Sequence, residues 1–408
     1  MTALRNLFKN PTTAELEFLE RHGRLPESAQ RERNFEAFAS TGLPHRRVEA
    51  WKWSDVRNAL PQLPDAIGGD TFDTPFEKIE GAITFTFDDN GCSYPDDLPN
   101  GLRVFEQDAG QALGGAEELP LAALGAALAS DPGVLMVEVS ETIQAPIHLN
   151  FASRKPVQFS RIVFVLREAV RLSVYETHTR SGGFSSNLIE YGLEDGAELS
   201  RTLYQRASND AVQVFTGLVH LNAGAKLTQS GLGFGSKLCR NETRVFHHGD
   251  GAHAVLNGAY LIGDGYHYDQ TSLVRHSKPD CTTEQLCKGA VTEGGRAVFQ
   301  GKFYVARKAQ QTAAQMGHHA LLLEDGGEVD AKPELEIYAD DVECAHGNTV
   351  GALDNDALFY LRQRGLTEAT ARAVLTEAFI AEALETAPED VREALIEEAR
   401  QWLMTAES

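Results

Sequence analysis

One short segment of this 408-residue chain combines a thiol and an imidazole at a spacing that favours joint chemistry. Cys344 and His346 are two residues apart, and on a β-strand such residues project from the same face. A thiolate and an imidazole are ligands that iron, copper or zinc accepts. Two ligands do not complete a tetrahedral site, so the pattern predicts that distant residues or another subunit supply the others. An incidental position at a sheet edge is the alternative interpretation.

A second set of candidate ligands lies upstream, but nothing in its spacing requires a metal ion. If the segment is a strand, three of its members share one face and His276 lies on the other. We therefore favour hydrogen-bonded residues within turns of the fold over direct chemistry. The set comprises His267, Asp269, Thr271, His276, Cys281 and Cys287.

Two pairs of adjacent histidines, His247-His248 and His318-His319, are more typical of structure than of a metal site. Adjacent rings on a strand point to opposite faces, so one ring of each pair is expected inside the fold or at its edge. The other ring is then exposed to solvent.

Motifs for nucleotide binding and for two common hydrolase chemistries are absent from the sequence. The stretch from Gly231 to Lys237 is rich in glycine but lacks the GxxxxGK[ST] spacing, and we interpret it as a flexible turn. The sequence contains neither a GxSxG elbow nor an HExxH motif, which excludes the usual serine acyl-transfer and zinc-protease sites.

Charge and composition exclude several classes of partner. With 37 basic and 59 acidic side chains, the formal net charge is -22, which disfavours nucleic acid and anionic membrane as partners. No apolar run reaches the roughly 18–20 residues that cross a bilayer, and residues Met1 to Asn10 show no signal-peptide pattern. The five cysteines are scattered and form no CxxC pair, so we expect a cytoplasmic protein with free thiols.

The first 130 residues predict mainly helices. Thr12 and Glu15 have the spacing of a capping box, and Gly23 is a suitable end for the helix that follows. The other predicted features are a helix over Ser28–Ser40, a loop from Pro61 to Pro75, a strand over Ile83–Phe87 and a short helix near 120–129.

From about Val134, short apolar runs alternate with Gly and Asp turns for some 200 residues. A turn-like frame recurs at Ala169, Gly196, Gly224 and Gly251, with spacings of 27, 28 and 27 residues, and returns at Gly294 and Gly326 after longer intervals. Regular spacing of this kind predicts a β-solenoid with inserted loops at the longer intervals, and a β-sandwich is the alternative. The predicted strands include Val134–Val139, Arg161–Leu166, Leu172–Tyr175, Asn187–Tyr191 and Val212–Leu221.

The end of the chain predicts a unit of three helices. The first begins after Asp354 or Asp356 and ends at Gly365, and the third starts with Pro388 in its first turn and runs to about Leu403. The second begins at Thr367, and its expected apolar side carries Ala371, Val374, Leu375, Ala378 and Phe379.

The run from Lys332 to Gly351 resembles the signature of the SufB/SufD family, scaffold components of the SUF iron–sulfur cluster assembly machinery. The resemblance includes Ala309–Thr312, Leu321–Leu323 and Phe359–Gly365, and covers at least residues 260–384. The stretch from Gly42 to Trp53 is similar to the SufD branch, with a SufB-like chain as the alternative, although Trp53 stands where we expect tyrosine.

The resemblance implies a mainly β fold, a right-handed parallel β-helix flanked by helical domains. The implied boundaries are an amino-terminal, mainly helical domain over residues 1–130, the β-helix over 131–350 and a carboxy-terminal helical domain over 351–408. It also implies a scaffold subunit that is not an enzyme. A β-helix enzyme such as a polysaccharide lyase or esterase is the alternative class, and the specific run at 332–351 argues against it.

The partners and site residues are likewise implied by the resemblance. A SufB-like paralogue pairs with this chain, two SufC-like ATPase subunits complete a SufB–SufC₂–SufD complex, and a homodimer is the expected assembly of the isolated chain. His346 is the implied ligand of a nascent iron–sulfur cluster at the SufB interface, and Cys344 either shares that site or supports the interface, while the chain itself binds no nucleotide. Phe359, Leu375 and Phe379 dock the SufC-like ATPase directly or through helix packing. A purely structural docking subunit without ligands is the alternative.

Overall fold

Helices occupy both ends of the chain in the computed structural model, which describes residues 2–65, 67–68, 72–76, 79–107, 113–129 and 133–406. No helix in these ranges is long and apolar enough to cross a membrane. The α-helices are α1 (Thr2–Arg5), α2 (Thr13–His22), α3 (Ala29–Thr41), α4 (Val56–Ala59), α5 (Pro120–Leu128), α6 (Asn355–Gln363), α7 (Glu368–Ala381) and α8 (Glu389–Ala406). Short 3-10 turns cover Glu49–Trp51, Ala116–Glu118 and Glu382–Leu384.

The middle of the chain consists of strands, most of them ten residues long. They are β1 (Ile83–Asp88), β2 (Gly91–Ser93), β3 (Leu102–Gln107), β4 (Val134–Val139), β5 (Ile147–Phe151), β6 (Val157–Leu166), β7 (Arg171–Arg180), β8 (Phe184–Leu193), β9 (Glu198–Ala207), β10 (Val212–Leu221), β11 (Lys226–Gly233), β12 (Leu238–His247), β13 (His253–Ile262), β14 (His267–His276), β15 (Thr282–Val291), β16 (Arg296–Val305), β17 (Thr312–Leu322), β18 (Glu328–Ile337) and β19 (Val342–Gly351).

Consecutive strands alternate between two sheets, which confirms the predicted solenoid. The ten-stranded sheet has the order β19-β17-β15-β13-β11-β9-β7-β5-β1-β2, and the nine-stranded sheet has the order β18-β16-β14-β12-β10-β8-β6-β4-β3. From β4 onwards the pairing within each sheet is parallel, so each coil contributes one strand to each sheet. The protein is therefore mainly β, a parallel β-solenoid of about eight coils with helices near the two ends of the chain.

The repeating turns lie along one edge of the solenoid and are linked to one another by hydrogen bonds. Ala169, Gly196, Gly224 and Gly251 all have positive φ angles of 56–68°. Each backbone N–H donates to the carbonyl just before the next turn residue, as from Ala169 to Asp195 at 2.9 Å. The recurring frame in the sequence thus corresponds to one turn per coil.

The interpretation of the longer intervals is wrong. Gly294 and Gly326 lie at the opposite edge, where the N–H of Gly265 donates to Gly294 and that of Gly294 to Gly326. The first edge continues instead at Asp280 and Gln311, each with a φ angle of 59°. Because these two residues adopt the left-handed conformation without being glycine, the repeat is hidden in the sequence, and no inserted loops are needed.

Two helical layers cover opposite outer faces of the solenoid. The predicted capping box of α2 is present, since the side chains of Thr12 and Glu15 each accept a backbone N–H of the other, and α3 matches its predicted bounds within one residue. Helices α2, α3 and α5 pack on β6, β8, β10 and β12 through an apolar cluster. Helices α7 and α8 pack on the other sheet, where the Tyr204 hydroxyl donates to Glu398 at 2.6 Å.

The last three helices exist as predicted, but they do not form a separate unit. The apolar stripe of α8 faces the sheet, and no residue of α6, which the structure describes throughout, is buried. In α7 the buried residues are Ala371, Thr376 and Ile380, whereas Val374 and Ala378 of the expected apolar side are exposed. The expected side is therefore correct at Ala371 and Phe379 and wrong at Val374 and Ala378, because the sheet surface, rather than two neighbouring helices alone, determines which face of α7 is covered.

A fully buried ion pair joins adjacent coils inside the solenoid. The Glu176 carboxylate accepts hydrogen bonds from Arg201 Nε at 2.6 Å and from the Tyr191 hydroxyl at 2.6 Å, and His178 Nε2 lies 3.2 Å away. Burial alone would raise the pKa of Glu176, but the charge of Arg201 and these hydrogen bonds hold it below its ordinary value of 4.5. Both groups therefore stay ionised in the core at neutral pH.

Replacing one member of this pair should destabilise the solenoid strongly. Glu176→Gln leaves the Arg201 charge without a counterion, and we expect a loss of about 3–5 kcal/mol in the free energy of unfolding. The double change Glu176→Gln with Arg201→Met should cost less than the single change, because no uncompensated charge remains. Urea unfolding followed by circular dichroism measures both effects.

The partly exposed side chain of Glu198, which pairs with Arg171 and Lys226, provides the control. Glu198→Gln should change stability by less than about 1 kcal/mol, since such pairs are screened by water. Because the folded pKa of Glu176 is depressed, its contribution should be complete above pH 4.5 and disappear as the pH falls through the folded value. An equal loss in the single and double variants would contradict this account.

Candidate functional site

The last coil of the solenoid has no further coil on top of it. Among the described strands, β18 and β19 have a neighbour on one side only, namely β16 and β17. The register places Cys344 beside Ala314 and His346 beside Met316. Both neighbours are buried inside the solenoid, so Cys344 and His346 project from the inward face of β19 at an end open to solvent. We call this surface, formed by β18 and β19, the end face.

Cys344 is half-buried at the end face, whereas the imidazole of His346 is exposed. The Cys344 side chain packs against a small apolar cluster that includes Val305, Ala309 and Ala339. Burial raises the pKa of the Cys344 thiol, and a backbone hydrogen bond from Ala314 opposes this only in part. The thiol is therefore protonated at neutral pH and has to lose its proton before it can bind a metal ion.

The two candidate ligands do not form a complete metal site. Within the ranges that the structure describes, no group of three or more His, Cys, Asp or Glu side chains is arranged to hold a metal ion. The end face thus presents a thiol and an imidazole on one strand face, and a metal ion held there would need its other ligands from another molecule.

Apolar side chains and open strand edges surround the pair. Ile337 is 38% exposed and Val350 is 43% exposed, and Val329 and Leu335 are only partly covered by the core below them. The outer edges of two ten-residue strands also present backbone N–H and C=O groups, which favour pairing with a strand of another chain. Sequence reasoning missed this apolar surround, although the alternation along β18 would have revealed it.

The three residues predicted to dock an ATPase have different surroundings. Phe359 on α6 is 65% exposed and is followed by the exposed Tyr360. Leu375 is partly buried. Phe379 packs in the cluster between α7 and the sheet, where Lys288 Nζ lies 4.5 Å from its ring. Phe359 is thus available for direct contact, whereas Phe379 supports the packing of α7.

His267 and Asp269 join strand β14 to the amino-terminal segment. The Ser54 hydroxyl donates to Asp269 at 2.5 Å and lies 3.0 Å from His267 Nε2. Asp269 also accepts from Arg240 NH1 at 2.9 Å, and the Arg240 guanidinium stacks on the Trp51 ring at 3.9 Å. The predicted common strand face and hydrogen-bonded role are confirmed, because both residues lie on the outer face of β14; their partner Ser54 is 213 and 215 positions away.

His276, Cys281 and Cys287 of that set are buried and serve the core, whereas the Thr271 hydroxyl donates to Asp269 at 2.7 Å on the outer face. His276 Nε2 lies 2.9 Å from the Thr283 hydroxyl, and burial lowers the pKa of His276 to about 4. Burial also raises the pKa values of the Cys281 and Cys287 thiols. For the adjacent histidines the prediction is confirmed: His247 and His318 are buried, while His248 and His319 face outward.

The glycine-rich stretch is not a flexible turn throughout. Gly231 and Gly233 belong to β11, where a Cβ on Gly233 would come within 2.4 Å of the Tyr268 ring. Only Gly235, with a φ angle of 76°, adopts a turn conformation that favours glycine. The glycines therefore make room for neighbouring side chains, and two strands rather than a strand and a helix flank the stretch.

Fold and site together define a β-solenoid protein whose open end presents a thiol and an imidazole as candidate metal ligands. The family model for the SufBD core domain of the SUF system for FeS cluster assembly matches residues 149–379. The chain belongs to the SufBD family, and within it the chain is SufD-like.

Relatives agree with this assignment along most of their length. The iron–sulfur cluster assembly protein SufD of Escherichia coli (strain K12) is 27% identical in an alignment 403 residues long, which covers 88% of each chain. An iron–sulfur cluster assembly SufBD family protein of Synechocystis is 27% identical over 393 residues, 86% of this chain and 85% of the relative. The chloroplastic protein ABCI7 of Arabidopsis thaliana is 27% identical over 396 residues, 89% of this chain and 83% of the relative.

Differences in burial predict which cysteines react in the native protein. Cys344 should be alkylated slowly at pH 7 and faster as the pH rises towards the raised pKa of its thiol, because the thiolate is the nucleophile. The buried Cys239, Cys281 and Cys287 should react only after unfolding. Iodoacetamide labelling followed by peptide mass spectrometry measures each site, and labelling of Cys287 before Cys344 would contradict the described packing.

Proposed function

We propose that this chain is a non-catalytic scaffold subunit for iron–sulfur cluster assembly that shares the nascent cluster with a SufB-like partner. The observation that carries the proposal is the position of Cys344 and His346 at the uncovered end of the solenoid. The cluster is the cargo of this site, and the partner supplies the ligands that the end face lacks. The function is placed in the cytoplasm, where the thiols stay reduced.

The end face is suited to a partner that is itself a solenoid. Two strand edges and partly exposed apolar side chains such as Ile337 would continue into an equivalent coil with the same spacing between strands. A SufB-like paralogue is the partner that family membership supports. A second copy of this chain is the expected occupant when no paralogue is present.

The carboxy-terminal helices are the proposed docking site for a SufC-like ATPase. Phe359 and Tyr360 on α6 form an exposed aromatic patch. Helix α8 is tied to the solenoid by Glu398, which accepts hydrogen bonds from Tyr204 at 2.6 Å and Arg206 at 3.0 Å. A force applied to α6 and its neighbours would therefore reach the solenoid through polar contacts and a packed core.

In this mechanism, ATP-driven dimerisation of the ATPase pulls on the helices of both scaffold subunits and opens the end face. His346 is then accessible to iron, and its neutral imidazole is a labile ligand that a carrier protein can displace. Cys344 gives up its proton only when iron or the partner replaces the apolar cover around it. A purely structural docking subunit without ligands is the competing function.

The ligand role is tested on the assembled complex under anaerobic conditions. In complexes co-expressed with SufB-like and SufC-like partners, His346→Ala should leave assembly intact and lower iron and sulfide per complex at least severalfold, because one ligand is lost. Glu343→Ala on the outward face of the same strand is the control. Unchanged iron in the His346 variant would identify the chain as a docking subunit only.

The docking role is tested with two phenylalanines that differ in burial. Phe359→Asp should weaken retention of the ATPase while changing the stability of the chain by no more than about 0.5 kcal/mol, since its ring is exposed. Phe379→Asp should lower stability by about 1–3 kcal/mol, because a charge enters the packed face of α7. Pull-down assays and thermal denaturation separate the two effects, and full ATPase retention by Phe359→Asp would place docking elsewhere.

A further inference from the structure

A third polar side chain belongs to the same row of the end face. Asn348 follows His346 by two residues on β19, and the register places it beside the buried His318 of β17. Asn348 Oδ1 lies 2.6 Å from His318 Nδ1. The side-chain amide of the exposed Asn348 is therefore hydrogen-bonded to the imidazole of His318, which is inaccessible to solvent.

His318 is held firmly in the interior. Its ring stacks on Phe299 with centroids 4.5 Å apart and an interplanar angle of 7°. Its Nε2 lies 2.9 Å from the Tyr260 hydroxyl. Gly289 makes room for Tyr260, since a Cβ at that position would come within 1.9 Å of the Tyr260 ring. Stacking and hydrogen bonding together fix the orientation of the imidazole.

The hydrogen bonds that link Asn348, His318 and Tyr260 have defined donors and acceptors. A carbonyl oxygen only accepts, so Nδ1 of His318 carries the proton that is donated to Asn348 Oδ1. Burial lowers the pKa of His318 to about 4, so the neutral ring has an unprotonated Nε2 that accepts from the Tyr260 hydroxyl. Burial also raises the pKa of Tyr260 well above 10, and its hydroxyl keeps its proton.

This arrangement determines which atoms of Asn348 are available to a ligand. Because Oδ1 is occupied by His318, the two N–H groups on Nδ2 remain for the molecule that covers the end face. An amide turned this way does not offer its oxygen to iron. It offers hydrogen bonds to an acceptor that carries negative charge, and it does so next to His346.

We propose that Asn348 is a hydrogen-bond donor to an anionic sulfur atom, a sulfide or thiolate bound at the end face, and that His318 and Tyr260 are its positioning residues. The proposal rests on the proposed function for the nature of the ligand, but the orientation of the amide does not depend on it. A donor in this position stabilises negative charge on sulfur, which favours the reduced form of an iron–sulfur cluster.

The orientation is tested on the isolated chain by NMR. In protein labelled with ¹⁵N-histidine, a long-range ¹H–¹⁵N correlation should show His318 as the tautomer with a proton on Nδ1, and His318→Phe identifies its signals among the 13 histidines. Asn348→Ala should alter the Nδ1 signal and leave Nε2 hydrogen-bonded to Tyr260. The Nε2-protonated tautomer would overturn the proposal.

The role of the donor is tested on the complex with the SufB-like and SufC-like partners. Asn348→Ala and His318→Phe should both retain iron but shift the reduction potential of the bound cluster to more negative values, because the hydrogen bond to sulfur is lost or misdirected. Thr349→Ala is a matched control, since the Thr349 hydroxyl and His319 Nδ1 form the equivalent contact on the outward face at 2.7 Å.

The outcomes separate this proposal from the proposed function. Loss of iron in His346→Ala together with an unchanged potential in Asn348→Ala would overturn the role of Asn348 and leave the scaffold function intact. Unchanged iron in His346→Ala would overturn the function and with it the sulfur ligand. A negative shift in Asn348→Ala and His318→Phe, absent from Thr349→Ala, would support the proposal.

Discussion

Stacking in register is the constraint on which the rest of this structure depends. Each coil places a residue of one strand beside its counterpart about one repeat further along. The side chains at equivalent positions of successive coils therefore stack in columns inside the solenoid. Cys344, His346 and Asn348 are the last members of three such columns, beside Ala314, Met316 and His318. Their common orientation follows from the parity of the strand, and their exposure follows from the end of the stack.

The helical layers on the outside of the molecule are joined to the stacked coils by specific side-chain contacts. On one sheet, Trp51 and Ser54 of the amino-terminal segment contact Arg240 and Asp269 of the solenoid. The same segment reaches the last coil, where Lys332 Nζ lies 2.8 Å from a Glu49 carboxylate oxygen. On the other sheet, Glu398 joins α8 to Tyr204. Both helical layers therefore contact the stack directly, and a displacement of either layer would exert a force on the coils.

Local rules predicted the parts of the structure that depend on neighbours in sequence. The capping box of α2, the common face of Cys344 and His346 and the turn at each glycine follow from spacings of a few residues. The turn at Asp280 was missed because its left-handed conformation is stabilised by the stacked turns, to which its N–H donates, and not by its own side chain.

The junction at Asp269 depends on Ser54, 215 positions away, and α7 packs on strand residues such as Lys288, which no local pattern contains. Sequence parity likewise places Asn348 in the row but does not reveal His318 below it.

The contrast between the middle and the end of the stack shows what a partner at the end face would have to supply. In the middle, Glu176 and Arg201 satisfy each other across adjacent coils although both are fully buried. At the end, His346 and the amide protons of Asn348 occupy positions of the same kind, but none of the described strands stacks on them. A partner that continues the columns would bury these polar groups, and burial is favourable only if it supplies matching acceptors and ligands. Such a partner would need polar complementarity as well as apolar area, so a related solenoid fits the proposed function better than an unrelated apolar surface.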